Sequence, residues 1–330
     1  MTLTIGRREL VAALGGAAAW PLAARAQQSV IPVVGYLHGQ SPDRLPHLMA
    51  AFRQGLKEAG YAEGQNIEIE YRAAEGQTDR LPALAADLVR RQVALIVATG
   101  GTAAGLAAKA ATAAIPIVFI TGDDPVRLGL VASLNRPGGN ATGLNILLQE
   151  MEGKRLGLVR ELVPAGVLIA VLLNPSNANF QTQLQDVTDA ARAVGQQIQI
   201  LNASNERDIH AAFTTLNKLR AAALLVGGDP FFNTRREQLV TLANHYAIPA
   251  IYEVREFATA GGLMSYGTSL TEAYHQIGRY AGRILKGDKP GDLPVVQPTK
   301  FELVVNVKAA KAIGLTIPES FLARADEVIE

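Results

Sequence analysis

The feature that most restricts what this chain can fold into is a rhythm. Strand-length apolar runs alternate with helix-patterned segments, and the series runs through twice. Val30 to Leu37 (VIPVVGYL) is apolar and rich in β-branched residues, as a strand buried on both faces requires. Ser41-Pro42 reads as the opening of a helix, serine as cap and proline at the first position. Leu45, Leu48, Met49, Phe52 and Leu56 follow at helical spacing. Asn66 to Tyr71 alternates like a strand, Thr78 to Arg91 reads as a helix, Val93 to Ala98 as a strand and Thr102 onward as a helix. Ile115 to Ile120 is a fourth strand.

The rhythm then restarts. Helices are expected over Glu150–Val163, Asn177–Val194, Glu206–Leu219 and Thr234–Tyr246. Strands are expected over Leu168–Leu173, Gln196–Leu201, Ala222–Val226 and Ile248–Tyr252. Such alternation joins parallel strands through crossover helices, so the fold class is α/β with parallel sheets in two similar, Rossmann-like lobes. The turn-rich Arg136 to Gly143 suits a first crossing between lobes, and Gly261 to Gly267 a return. A long amphipathic helix carrying Ala273, Ile277, Tyr280, Ala281, Ile284 and Leu285 on one face comes next, then a last strand, Phe301 to Asn306.

The first residues read as a leader. Arg7-Arg8 precede Leu10 to Trp20, an apolar stretch of 11 residues, and Ala24-Arg25-Ala26 has the A-x-A pattern of a cleavage site. A helix of that length spans roughly 16 Å, too short for a bilayer. The expectation is an exported precursor cut after Ala26. The twin arginine and low hydrophobicity favour the twin-arginine route, with a general secretory signal as the alternative. The leader holds three of the 31 basic and one of the 30 acidic residues, so the mature chain is nearly neutral. That balance gives no electrostatic reason to expect nucleic acid. The absence of cysteine excludes disulfides, thiolate chemistry and a lipid-modified cysteine anchor. The five histidines form no HExxH or HxH pair, and no metal or cofactor is expected. There is no GxSxG elbow, Walker A lysine or GxGxxG after the first strand, so the chain is read as a binding protein and not an enzyme.

In open parallel sheets ligands bind beyond the carboxyl ends of the strands. The loops there carry the candidate residues. Thr99-Gly100-Gly101-Thr102 offers glycines, free N–H groups and hydroxyls suited to a carboxylate, with Thr121-Gly122 in a neighbouring loop. The plainer reading has Thr102 only capping its helix. His38 follows the first strand. Asp229 in the second half could meet an ammonium ion or merely cap the next helix. Phe231 and Tyr252 lie near expected loop mouths and could stack on a ligand ring or belong to the core. Glu253 is a second acid, with a solvated or capping role as its alternative.

The segments VVGYLHGQSP, FRQGLKEAGYAEGQNIEIEYRAAEG, LPALAADLVRRQVALIVATGG, IPIVFITGDDPVRLGLVASLNRPGGNATG and FELVVNVKAAKAIGLTIP resemble the ABC-transporter substrate-binding family often called tryptophan/tyrosine-type. The leader resembles those of exported substrate-binding proteins. The resemblance covers essentially the whole chain after the leader. It implies the type I periplasmic-binding architecture: two lobes, three crossings and a ligand cleft between them. The boundaries expected from it are 1–26 for the leader, 27–140 with 266–297 for the first lobe, and 141–265 with 298–330 for the second. It also implies delivery to an inner-membrane permease with its ATPase; it does not fix the ligand, and the expectation is a periplasmic monomer that captures a small polar or aromatic solute such as an amino acid. In related receptors hydroxyls and N–H groups of the first lobe hold a carboxylate and an acid of the second holds an ammonium. By loop position these match Thr99, Gly101, Thr102 and Thr121, and Asp229. A periplasmic sensor for a signalling partner is the alternative function, and an exported α/β enzyme a further one. A transcription repressor of the same lobe architecture lacks the export signal and would need a helix-turn-helix segment.

Overall fold

The computed structural model describes residues 31–330 apart from 42, 44 and 148–150. The leader read at 1–26 lies outside the described residues, as does Pro42. The first sheet holds β1 (Val33–His38), β2 (Glu68–Ala73), β3 (Leu95–Thr99), β4 (Ile117–Thr121) and β5 (Ala141–Asn145). All five run parallel in the order β2-β1-β3-β4-β5. Helices α1 (Pro46–Glu58), α2 (Leu81–Arg90) and α3 (Thr102–Ala111) connect them. The central strands are apolar runs because helices cover both faces: β3 and β4 are buried at every position. Helix α1 begins later than the Ser41-Pro42 pattern predicts. Pro46 takes the first-turn position, and Leu45 precedes it without a side-chain cap.

The second half supplies α4 (Met151–Arg160), β6 (Ile169–Leu173), α5 (Phe180–Ala193), β7 (Ile198–Asn202), α6 (Glu206–Lys218), β8 (Ala223–Val226), α7 (Pro230–Thr234), α8 (Arg236–His245), β9 (Ala250–Tyr252), α9 (Arg255–Thr259) and β10 (Met264–Gly267). Then come α10 (Leu270–Leu285), β11 (Glu302–Asn306), α11 (Val307–Ala312), α12 (Glu319–Leu322) and β12 (Glu327–Ile329). The second sheet has the order β12-β11-β10-β9-β8-β6-β7. It is parallel except where β11 returns antiparallel to β10.

The crossings fall later than the turn-rich segments suggest. Residues 141–145, assigned above to the second lobe, are the fifth strand of the first sheet, in register with β4 from Ile117↔Ala141 to Thr121↔Asn145. Thr142 is buried there and its hydroxyl donates to Leu293 O at 2.6 Å. The first crossing therefore follows Asn145. Residues 264–267 are strand β10 of the second sheet, so the return follows Gly267. Val296 is still tied to the first sheet, donating to Gly143 O at 2.9 Å and accepting from Asn145 N–H at 3.0 Å. The third crossing lies between it and Glu302.

Helix α10 leaves the second lobe and packs on α1 of the first. The two backbones nearly touch: a Cβ at Gly278 would lie 2.1 Å from Phe52 O, and one at Gly55 2.0 Å from His275 O. No rotamer relieves a clash with backbone, so the helices must separate. Gly278→Ala should lower stability by about 1–3 kcal/mol. Gly157→Ala in α4, where an added Cβ meets nothing within 4 Å, should raise it by roughly 0.5–1 kcal/mol. Denaturant unfolding of the two variants checks both signs, and an unchanged midpoint for Gly278→Ala would show that the helices tolerate separation.

Candidate ligand-binding cleft

The carboxyl ends of β1, β3 and β4 face those of β6, β8 and β9 across a cavity between the lobes. With the lobes as they stand the cavity is narrow, about 60 Å³, room for a few water molecules. Each of the six loops after these strands contributes to its wall: His38, Gly100 to Thr102 and Gly122 from one lobe, and Asn177, Asn179, Pro230, Asn233 and Glu253 from the other. Leu45 and Leu48 beside α1, Ile120, Ile146 and Leu270 form an apolar side, with Tyr274 of α10 at its edge.

On the first lobe, Gly100 and Gly101 take φ of 74° and 120°. Glycine alone adopts the second conformation readily, and a Cβ at Gly101 would come 3.3 Å from Pro230 Cγ. The lobes thus meet backbone to ring at this point. Gly101 is also the N-cap of α3 and offers no capping side chain, which leaves that helix end open to an anion. The hydroxyls behind it are committed to one another. Thr102 Oγ1 lies 3.0 Å from Thr121 Oγ1, and Thr99 Oγ1 donates to Tyr36 OH at 2.9 Å. His38 is buried, with Nδ1 on the backbone of Gln40 and Nε2 3.3 Å from Tyr274 OH. Burial pushes its pKa down to about 4, so the ring is neutral.

The second lobe differs in charge. Asp229 caps α7, accepting from Phe232 N–H at 3.1 Å, and its carboxylate also takes Asn177 Nδ2 at 2.7 Å and Asn174 Nδ2 at 3.2 Å. Burial raises its pKa to about 6 against the pull of those donors. Glu253 is 5% exposed and sits in the cavity wall. Burial raises it to about 7, Arg155 pulling the other way. Beneath it Glu152 and Arg155 form a fully buried pair with a 3.5 Å N–O contact, and Glu152 Oε1 accepts from Gly228 N–H at 3.2 Å.

His38, Gly101 and Thr102 line the cavity. Thr99 and Thr121 stand one layer behind Thr102. Asp229 and Phe231 border an adjoining polar compartment that shares Gly100 to Thr102, Asn177 and Pro230 with the cavity. Tyr252 is a correction: it is wholly buried, stacked on Phe257 at 4.4 Å, because as the last residue of β9 it points to the core while Glu253 points to the cleft. Asn177, Asn179, Asn233 and Tyr274 were missed. The three asparagines sit on loops and helix starts where amide side chains also serve as caps, and Tyr274 enters only because α10 crosses back to the first lobe. Among the described residues no group of three or more His, Cys, Asp or Glu side chains could hold a metal, and no helix is long and apolar enough to cross a membrane.

Two parallel α/β lobes joined by three crossings and closed on a cavity at their strand ends define a type I periplasmic-binding fold. The family described as ABC transporter substrate binding protein matches residues 8–329, and the chain belongs to it. It is 29% identical over 264 residues to a tyrosine-binding protein of Clostridioides difficile, a match covering 80% of this chain and 75% of the relative. A structure from Streptococcus pneumonia in complex with L-Trp superposes with a TM-score of 0.79 at 26% identity, covering 90% of this chain and 99% of that one. A conserved domain protein of Vibrio cholerae gives 0.81 at 28% identity with the same coverage.

The buried acids make stability depend on pH. Both Asp229 and Glu253 hold a proton more tightly in the folded chain than at their ordinary values of 3.8 and 4.5. A raised carboxyl pKa favours the folded state at low pH, and that contribution is lost as pH rises through about 6 for Asp229 and about 7 for Glu253. The melting temperature of the ligand-free protein should fall between pH 5 and 8, and Glu253→Gln should remove the upper part of that fall. A thermal series in which the variant keeps the wild-type slope up to pH 8 would rule Glu253 out as its source.

Proposed function

We propose that this protein is the solute-capturing component of an ABC importer, exported by its leader to the periplasm. In this reading it binds an aromatic amino acid between its lobes as a monomer and delivers it to a permease driven by an ATPase. The observation that carries the reading is the cavity itself: one apolar side, one open helix end and one acidic side, contributed by both lobes. Leu45, Leu48, Ile120, Ile146 and Leu270 would take the side chain. The N–H groups at Gly101 and Thr102 would take the carboxylate, which the positive end of α3 favours. Thr121 would act through Thr102 by fixing its hydroxyl, Thr99 would hold Tyr36 behind the site, and His38, held neutral, would line the site without repelling a cation. The relatives' ligands, tyrosine and L-Trp, support the choice of side chain. The chain divides for this purpose into a first lobe ending near Asn145 and a second ending at β10, with α10 returning to the first. The role is capture and release, with no bond made or broken.

A ligand that touches both lobes stabilises the closed form in proportion to its differential affinity. L-tyrosine or L-tryptophan at 100 times its Kd should add about 2.7 kcal/mol to unfolding stability. Small-angle scattering should show the protein more compact with ligand than without. A thermal shift absent for both amino acids up to millimolar concentration would sink the aromatic reading.

A further inference from the structure

A second cavity lies outside the cleft, among the three crossings. It holds about 510 Å³, within the range of small-molecule sites and well above the 60 Å³ of the cleft with the lobes as they stand. Each crossing supplies part of its wall: Leu144 and Ile146 at the first, Thr268 and Ser269 at the second, and Val296 to Lys300 at the third. The first two turns of α10 complete it with Glu272, Ala273 and Gln276. No single loop encloses this space. It exists only where the segments that join the lobes come together.

A thin partition separates this cavity from the cleft. Ile146, 6% exposed, lines both. Helix α10 divides its first turns between them. Leu270 and Tyr274, four residues apart and so on one face, meet the cleft, while Ser269 before the helix and Glu272, Ala273 and Gln276 within it meet the second cavity. The two spaces thus lie on opposite sides of the segments that must bend when the lobes move, because crossing residues absorb the rotation. Motion that parts the lobes at the cleft draws those segments together behind it. A molecule seated among them resists that approach.

The lining sets the chemistry of an occupant. Leu144, Ile146 and Ala273 are buried and apolar, with Val296 and Pro298 beside them. Around that floor stand the hydroxyls of Thr268 and Thr299 and the amides of Gln276 and Gln297, which both donate and accept. The charges sit at the rim: Glu272 and Lys300 are 71% and 72% exposed, and Lys300 is paired with Glu302 at 3.0 Å. With that pair closed on itself, the charge left at the rim is the carboxylate of Glu272, which disfavours an anion. We propose that this cavity is a second binding site, for a small uncharged amphiphile with an apolar body and one or two hydroxyl or amide groups, and that its occupant holds the lobes closed and so tightens their grip on the solute in the cleft. This rests on the reading of the protein as two lobes that close on an amino acid. Coupling between two sites is reciprocal, so the cleft solute tightens the hinge occupant by the same factor.

The test uses the mature protein and hexane-1,2-diol, an apolar tail with two hydroxyls, as probe. Saturation-transfer NMR reads the binding of the diol, and calorimetry reads L-tyrosine and L-tryptophan with and without it. Saturating diol should tighten amino-acid binding by about five- to tenfold, and the amino acid should tighten the diol equally. Gln276→Trp and Gln297→Trp each place a ring in the cavity. Both should abolish diol binding and hold the amino acid as tightly as the wild type does with diol present. Thermal melts show that each is folded, and Gln297, exposed on the third crossing, offers a site where the ring costs no helix packing. Diol that binds but leaves amino-acid affinity unchanged is an adventitious additive only and overturns the proposal. Diol that competes with the amino acid and still binds both Trp variants sits in the cleft, which overturns it too, as does diol that does not bind. If neither aromatic amino acid binds the wild type, the aromatic reading falls by itself. The hinge site is then read by small-angle scattering: diol should compact the wild type and leave both Trp variants as they are, and no compaction overturns the proposal.

Discussion

The contact between α1 and α10 governs the rest of this molecule. Helix α10 starts three residues after β10 of the second sheet and lies against the first lobe, so the position of one crossing is set by how closely it seats on α1. The approach is possible because glycines face backbone at Gly55 and Gly278. The amino-terminal ends of both helices then point at the cleft. Leu45 and Leu48 come from the α1 side, Leu270 and Tyr274 from α10, and together they make much of the cavity's first-lobe wall. The packing that fixes the hinge geometry therefore also shapes the pocket, and a change at the helix crossing is felt at both.

Charge is divided unequally between the two lobes at the cavity. The first lobe meets the cavity with neutral groups: the imidazole of His38, the phenol of Tyr274, linked hydroxyls and an open helix end. The second meets it with buried acids. The open end of α3 favours negative charge, and the buried acids opposite favour positive charge. Direct polar contacts between the lobes away from the cavity are modest, such as Arg127 Nη2 to Thr182 Oγ1 at 3.2 Å and His47 Nε2 to Glu256 Oε1 at 3.3 Å. Partly exposed contacts of this kind contribute little. A buried apolar cluster that runs from β1, α1 and α10 to β6, β8 and β9 spans both lobes and contributes more.

Much of the fold was legible because parallel strands covered on both faces leave a strong mark. Val33 to Leu37, Leu95 to Ala98, Ile117 to Ile120 and Ile169 to Leu173 are apolar, mostly β-branched or leucine, and each is a strand. The segment Ala141 to Asn145 leaves a weak mark. It reads ATGLN, and its Thr142 and Gly143 look like a turn because the partners that justify them, Leu293 O and the backbone of Val296, arrive from about 150 residues away. Local pattern cannot show a strand that is buried by a later return of the chain. The same distance hid Tyr274, which is an ordinary helix-face tyrosine until α10 is known to cross back.

The site was legible to the level of loops and not of side chains. The rule that ligands gather beyond strand ends picked out His38, the Thr99 to Thr102 turn and the β8 and β9 ends, all of which converge. Choosing between Asp229 and Glu253 is a different question, because it depends on which carboxylate is already satisfied. Asp229 is silenced by Asn174 and Asn177, residues more than fifty positions earlier that reach it from the loop after β6. Glu253 Oε2 makes no hydrogen bond, and the buried Arg155 paired with Glu152 leaves Nη1 and Nη2 without one as well. In both cases the deciding partners are nonlocal, so the chemistry of the acid follows from the hydrogen bonds the fold has left unmade and not from its place in the sequence.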